Sequence, residues 1–172
     1  MTVRPPHLEI AGPFLEPPPR VLIIEGRFYE AICDELVAGA EAVLAAEGAA
    51  VDRYTVPGAL EIPQVLAQAA ATGRIPRVKG NKSGVWDGAI ALGCVIRGET
   101  AHYDIVCNNA NHWLMDVAIR HAIPVGNGIL TVDTEAQALA RARGGAQGKG
   151  GDAARACLRL VALARALKRQ DA

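Results

Sequence analysis

The stretch GAIALGCVIRGETAHYD, Gly88 to Asp104, decides the fold. Its first nine residues, through Ile96, are apolar on both alternations. Successive strand side chains point to opposite faces, so this pattern predicts a central strand covered on two sides. After Ile96 a charge, a glycine and a threonine precede a run with helical spacing from about His102 to His121. A doubly covered strand feeding directly into a helix is a piece of a parallel sheet, because parallel neighbours are joined by helical crossovers.

Working outward, the same alternation repeats. RVLIIEG, from Arg20, is a short aliphatic run stopped by Gly26, and Tyr29–Glu47 carries Ile32, Leu36, Val37, Ala40, Val43 and Leu44 at helical intervals before a C-capping Gly48. A second strand is predicted at about Ala50–Val56 and helical spacing over Ala59–Ala71; Gly73–Gly84 reads as a connecting loop. A fourth strand is predicted at Pro124–Thr131, then helices at Thr134–Arg143 and Asp152–Lys168, divided by GGAQGKGG. Strands alternating with helices predict an α/β fold, a three-layer α/β/α arrangement around a four-stranded parallel sheet with right-handed crossovers. Residues 1–19, rich in proline and ending in EPPPR, suit neither a helix nor an interior strand, and predict an extended N-terminal arm before a single domain at 20–172.

Composition narrows the function. Eighteen Lys plus Arg balance eighteen Asp plus Glu, so no general attraction to nucleic acid or to an anionic membrane is expected. The cysteines Cys33, Cys94, Cys107 and Cys157 form no Cys-x-x-Cys pair, which argues against a metal site or a disulfide framework and fits a reducing cytoplasm. No signal-peptide pattern and no apolar run of spanning length is present. The glycine-rich GGAQGKGG does not fit a nucleotide loop, since Lys149 is followed by Gly150 and the segment lies between helices. No Gly-x-Gly-x-x-Gly follows the first strand, so NAD and ATP are poor candidates.

In open sheets of this kind ligands bind beyond the carboxyl ends of the strands. Four segments are expected there: Phe28, Gly58–Glu61, Arg97–His102 and Thr131–Asp133. Gly98 allows close backbone approach, and the amides of Glu99 and Thr100 at a helix start can face an anion, helped by the Thr100 hydroxyl. The alternative is an ordinary Thr-capped helix start, and the Glu99 carboxylate counts against an anion unless it faces away. His102, in the first helical turn, is placed where a positive helix end favours a neutral imidazole able to accept and return a proton; a surface or capping histidine is the alternative. Glu61, in VPGALEIP, could accept hydroxyl hydrogens from a polyol, or be a charged first helical turn and nothing more. Arg141 could meet a phosphate, or stand as a solvated helix arginine.

Taken in order and spacing, EGRFY, VPGALEIP, ALGCVIRGETAHYD, PVGNGILT and EAQALARA resemble the lumazine synthase family over about Arg20 to Lys168. The resemblance implies a flavodoxin-like sheet, a transferase of riboflavin biosynthesis working without a cofactor or metal, and a homopentamer with active sites shared between subunits. It implies condensation of 5-amino-6-(D-ribitylamino)uracil with 3,4-dihydroxy-2-butanone 4-phosphate to 6,7-dimethyl-8-ribityllumazine, phosphate and water. Phe28 would then stack on the pyrimidine, and Ala59, Leu60 and Glu61 would line the ring and ribityl chain. Cys94, Val95 and Ile96 would offer backbone groups, Glu99 and Thr100 the phosphate amides, Arg141 a guanidinium from the adjoining subunit, and His102 proton transfer.

Two positions depart from the family pattern. Asn127 stands where much of the family has a phenylalanine over the heterocycle, and Gly145 where capsid-forming relatives carry a lysine. The first leaves Phe28 as the main stacking partner; the second favours a free pentamer over a closed shell. A non-catalytic flavin or lumazine binder and an assembly scaffold remain the competing expectations.

Overall fold

The computed structural model describes residues 15–170. Most of the expected arm, residues 1–14, lies outside the described residues. Its last part packs against its own chain: Leu15 is buried, and the Arg165 guanidinium donates to the Pro17 carbonyl at 2.5 Å.

The elements run β1 (Arg20–Gly26), α1 (Glu30–Ala46), β2 (Ala50–Val56), a 3-10 turn (Ala59–Glu61), α2 (Ile62–Ala71), β3 (Gly88–Ile96), α3 (His102–Arg120), β4 (Val125–Val132), α4 (Glu135–Ala142), a second 3-10 turn (Gly145–Gln147) and α5 (Lys149–Gln170). The strands form one all-parallel sheet in the order β2-β1-β3-β4. This is the α/β arrangement expected from the alternating pattern.

Alternation divides the core in two. Val21 and Ile23 of β1 join α1, α4 and α5 on one face, whereas Leu22 and Ile24 join α2 and α3 on the other. β3 is buried from Gly88 to Cys94, as a doubly covered strand requires. α1 stops where Gly48 takes φ +67°, with the Ala49 amide donating to the Leu44 carbonyl at 3.0 Å. α4 starts on Thr134, whose hydroxyl accepts from the Gln137 amide at 3.2 Å.

Two boundaries depart from expectation. The segment 59–71 is not one helix: a 3-10 turn ends at Glu61 before α2 begins at Ile62, with Pro63 in the first turn, where its missing N–H costs nothing. GGAQGKGG is not an open loop either, since α5 already begins at Lys149. Gly144 and Gly145 take positive φ in the turn, and Gly148, Gly150 and Gly151 serve close packing. A Cβ on Gly150 would run into the carbonyl oxygen and carbon of Leu36 in α1, so this start of α5 can lie against α1 only without a side chain.

A backbone atom of a packed helix cannot step aside as a side chain can. Gly150→Ala is therefore expected to destabilise the fold by about 1–3 kcal/mol, read as a lower urea midpoint at unchanged slope. An unchanged midpoint would show that the α1–α5 contact is loose.

Candidate active site

Chain direction creates the site. After β1 the chain passes to the α1 face, and after β3 to the opposite, α3 face; between these two adjacent strands the loops part and leave a crevice. A pocket of about 370 Å³ occupies it. One wall is Phe28 with the turn Pro57–Glu61; the floor is Cys94, Val95 and Ile96; the far wall is Gly98, Thr100, His102, Tyr103 and Val106.

Sequence order alone placed these segments far apart, and the fold brings most of the expected residues together. Phe28, Ala59, Leu60, Glu61, Cys94, Val95, Ile96, Thr100 and His102 all line the pocket. Phe28 is 72% exposed, touching Tyr29 ring edge to face at 5.0 Å between centroids. Glu61 accepts the Gly58 amide on Oε2 at 2.9 Å, as a charged first helical turn would; a carboxylate has further lone pairs, so capacity for a hydroxyl remains. Gly26 and Gly58 nearly touch: a Cβ on Gly26 would stand 2.9 Å from the Gly58 carbonyl carbon, so the β1 exit and the 57–61 turn form one continuous wall.

The far wall is held by Arg97. Its amide donates to the Val132 carbonyl at 2.9 Å and its guanidinium to Asp133 at 2.9 Å, within 3.7 Å of Asp104, while it lies 4.1 Å over the Tyr103 ring. One side chain thus ties the exits of β3 and β4 to the first turn of α3, and the segment 98–101 spans that tie. Among the described residues, the amides of Gly98, Glu99, Thr100 and Ala101 donate to no acceptor, and they sit just ahead of a nineteen-residue helix. Thr100 Oγ1 lies 3.4 Å from the His102 amide. Such a helix entrance is suited to an anion.

Three expected residues stay outside the pocket. Glu99 is exposed on the loop and does not line it. Asn127 lies mid-strand, level with Ala91, where its amide donates to Asn111 Oδ1 at 2.7 Å and its Oδ1 accepts the Ile129 amide at 3.0 Å. Arg141, exposed on α4, donates to the Gln137 carbonyl of its own helix at 3.0 Å. Within one chain neither Asn127 nor Arg141 forms part of this wall. Conversely, Tyr29 and Tyr103 line the pocket without having been singled out. In a chain with three tyrosines, their place inside EGRFY and ETAHYD was the available signal.

Burial governs the local acid–base chemistry. The Cys94 thiol, buried beneath the pocket, is pushed up to about 11, with small contributions from Cys107 and Cys33. Partial burial and the Cys107 contact raise the Tyr103 phenol. Among the described residues no group of three or more His, Cys, Asp or Glu is placed to hold a metal ion, and no helix is long and apolar enough to cross a membrane.

With the geometry in hand, comparison with known proteins is specific. Residues 18–165 match the family model described as 6,7-dimethyl-8-ribityllumazine synthase. Curated proteins of that name are similar over most of their length. The one from Azorhizobium caulinodans is 55% identical over 149 residues, covering 85% of this chain and 86% of the relative. That of Methylorubrum populi is 51% identical over 153 residues, covering 89% and 87%, and that of Nitrobacter hamburgensis 48% over 149, covering 86% and 87%.

The thiolate is the reactive form of cysteine, and at pH 8 a thiol titrating near 11 is almost wholly protonated. Native protein treated with iodoacetamide at pH 8 should show negligible modification of Cys94 by peptide mass spectrometry, with labelling rising as the pH approaches 11. Rapid, complete labelling at pH 8 would mean an opened pocket floor.

Proposed function

We propose a reaction for this chain from one premise: it belongs to the 6,7-dimethyl-8-ribityllumazine synthase family, transferase-type enzymes of riboflavin biosynthesis. The reaction is the condensation of 5-amino-6-(D-ribitylamino)uracil with 3,4-dihydroxy-2-butanone 4-phosphate, yielding 6,7-dimethyl-8-ribityllumazine, phosphate and water. The observation that carries it is the single pocket in which an exposed aromatic ring, a carboxylate turn, a strand end, a helix entrance and a histidine face each other.

The chemistry asks for orientation and proton movement. The pyrimidine amine attacks the ketone carbonyl and water leaves to give a Schiff base; elimination of phosphate then leaves an enol that becomes a second ketone, and the ribityl-bearing nitrogen closes the ring on that carbonyl with loss of a second water. Phe28 stacks on the pyrimidine, worth roughly 0.5–1.5 kcal/mol beyond area burial. Ala59 and Leu60 flank the ring, Glu61 accepts ribityl hydroxyls, and the backbone of Cys94, Val95 and Ile96 meets the heterocycle's polar edge. The amides of Glu99 and Thr100 hold the phosphate, for which only the Glu99 backbone is required, consistent with its outward side chain. His102, beside them, accepts and returns protons between amine, carbonyl oxygen and leaving group. Holding both reactants at this distance converts a bimolecular step into a nearly unimolecular one.

The site is completed by a second subunit in a homopentamer. That Asn127 and Arg141 lie outside their own chain's pocket supports their supply by a neighbour, Arg141 to the phosphate and Asn127 near the heterocycle. An apolar groove between α2 and α3, with Pro63, Ala67, Ile105 and a half-exposed Trp113, supports a buried subunit contact, as does the edge strand β4. Gly145 in place of lysine favours the free pentamer, with residues 1–19 as an arm to the domain at 20–172. Four free cysteines support a cytoplasmic location.

His102→Ala and Arg141→Ala should each lower turnover, about 10²-fold or more for the proton-transfer residue, followed by lumazine absorbance. The decisive measurement mixes the two inactive variants after co-refolding. Some interfaces then pair an intact His102 with an intact Arg141, and activity should return. Persistent inactivity of a correctly assembled mixture would overturn the shared site; a wild type that binds ribitylated pyrimidine without turnover would make the protein a binder.

A further inference from the structure

Glu25 is out of place. β1 is an aliphatic strand buried on both faces, yet near its end stands the one charged side chain among the described residues that is fully buried. A leucine would fill such a position at no electrostatic cost, whereas a buried carboxylate must be compensated.

The compensation is extensive. Glu25 Oε1 accepts Arg53 Nε at 2.5 Å, and Oε2 accepts Arg53 Nη2 at 3.1 Å and Arg27 Nη1 at 2.8 Å. Arg27 Nη2 in turn donates to Asp34 on α1 at 2.6 Å, and Arg53 Nη1 to Glu41, further along α1, at 3.1 Å. Charges therefore alternate along Asp34, Arg27, Glu25, Arg53 and Glu41, joining β1, β2 and α1. Burial alone would raise the Glu25 carboxyl; the hydrogen bonds from Arg53 and Arg27 outweigh it and leave the group below its ordinary value, ionised at neutral pH.

The chain leaves the sheet at this point. The Arg27 amide makes the last link, to the Val56 carbonyl at 3.0 Å, and the next residue is Phe28. Phe28 is too exposed for packing to fix its ring, so its position follows from the backbone beside it. That backbone is gripped through the Arg27 guanidinium, stretched between Glu25 and Asp34. Gly26, between Glu25 and Arg27, abuts Gly58, so the same grip sets the 57–61 turn.

We infer that Glu25, acting through Arg27 and Arg53, is a positioning residue for the pyrimidine half of the site, fixing where Phe28 and the facing turn stand. The inference rests on the stacking role proposed above for Phe28. The phosphate half hangs on Arg97 instead, at the exits of β3 and β4. A disturbance at Glu25 should therefore divide the substrates.

The test is steady-state kinetics with each substrate varied in turn, on the wild type, Phe28→Ala, Glu25→Gln and Arg27→Lys. Lysine at 27 keeps the charge and leaves the Glu25–Arg53 pair intact, but a single ammonium cannot reproduce the fork between Glu25 and Asp34; it carries the test alone if Glu25→Gln fails to fold. Both variants should raise KM for the ribitylamino-uracil about fivefold to tenfold, while KM for the keto-phosphate and kcat stay within about twofold. A fall in kcat with both KM values unchanged, the mark of fewer folded molecules, overturns the inference, as does an equal rise in both KM values. If Phe28→Ala raises the pyrimidine KM and the other two do not, only the positioning role fails. If Phe28→Ala itself leaves that KM unchanged, the stacking role fails and the inference falls with it.

Discussion

Parallel strands cannot be joined by a tight turn, and the need to cover both faces of such a sheet organises this molecule. Each return to the sheet requires a helix, and burying Leu22 and Ile24 as well as Val21 and Ile23 requires helices on both sides. A chain that covers one face after β1 and the other after β3 must reverse between those neighbours. The crevice at that reversal is a by-product of covering the core, and it is where the chemically versatile residues collect.

The crevice has two independently anchored walls. Glu25 and its arginines hold the β1 exit, and Arg97 holds the exits of β3 and β4 against α3. Both anchors use arginine, whose planar fork serves two acceptors at once where lysine offers a point charge. Their environments differ. Glu25 is wholly buried at the centre of its network, whose outer members Arg53, Glu41 and Asp34 reach solvent, whereas every member of the Arg97 cluster, with Asp104 and Asp133, is about half exposed or more and screened by solvent. The first anchor is thus centred on a buried charge, and it stands under the wall whose aromatic ring is largely exposed and touched at its edge by Tyr29.

Under the proposed reading, function in this fold extends past the single chain. Asn127 is fixed mid-strand by its bond to Asn111, and Arg141 is turned back onto its own helix. Under the proposed reading both serve a neighbour's pocket, which links catalytic competence to assembly and gives the apolar groove along α3 a catalytic consequence as well as a structural one.

The sequence by itself determined the elements and much of the lining of the candidate pocket. Periodicity marked β3 and α1 because both bury long apolar faces, Thr134 and Gly48 marked helix ends through their backbone chemistry, and Phe28, Glu61, Thr100 and His102 were legible because their segments end at strand exits or open helices. Tertiary structure decided the rest. GGAQGKGG reads as a loop from composition, and only the approach of Leu36 shows that Gly150 lets the start of α5 lie on α1. Glu25 sits inside what reads as an aliphatic strand, and nothing local announces that Arg27 and Arg53 will compensate it. Compensation of a buried charge depends on through-space partners, here from β1, β2 and α1, and distances across a fold are absent from linear order.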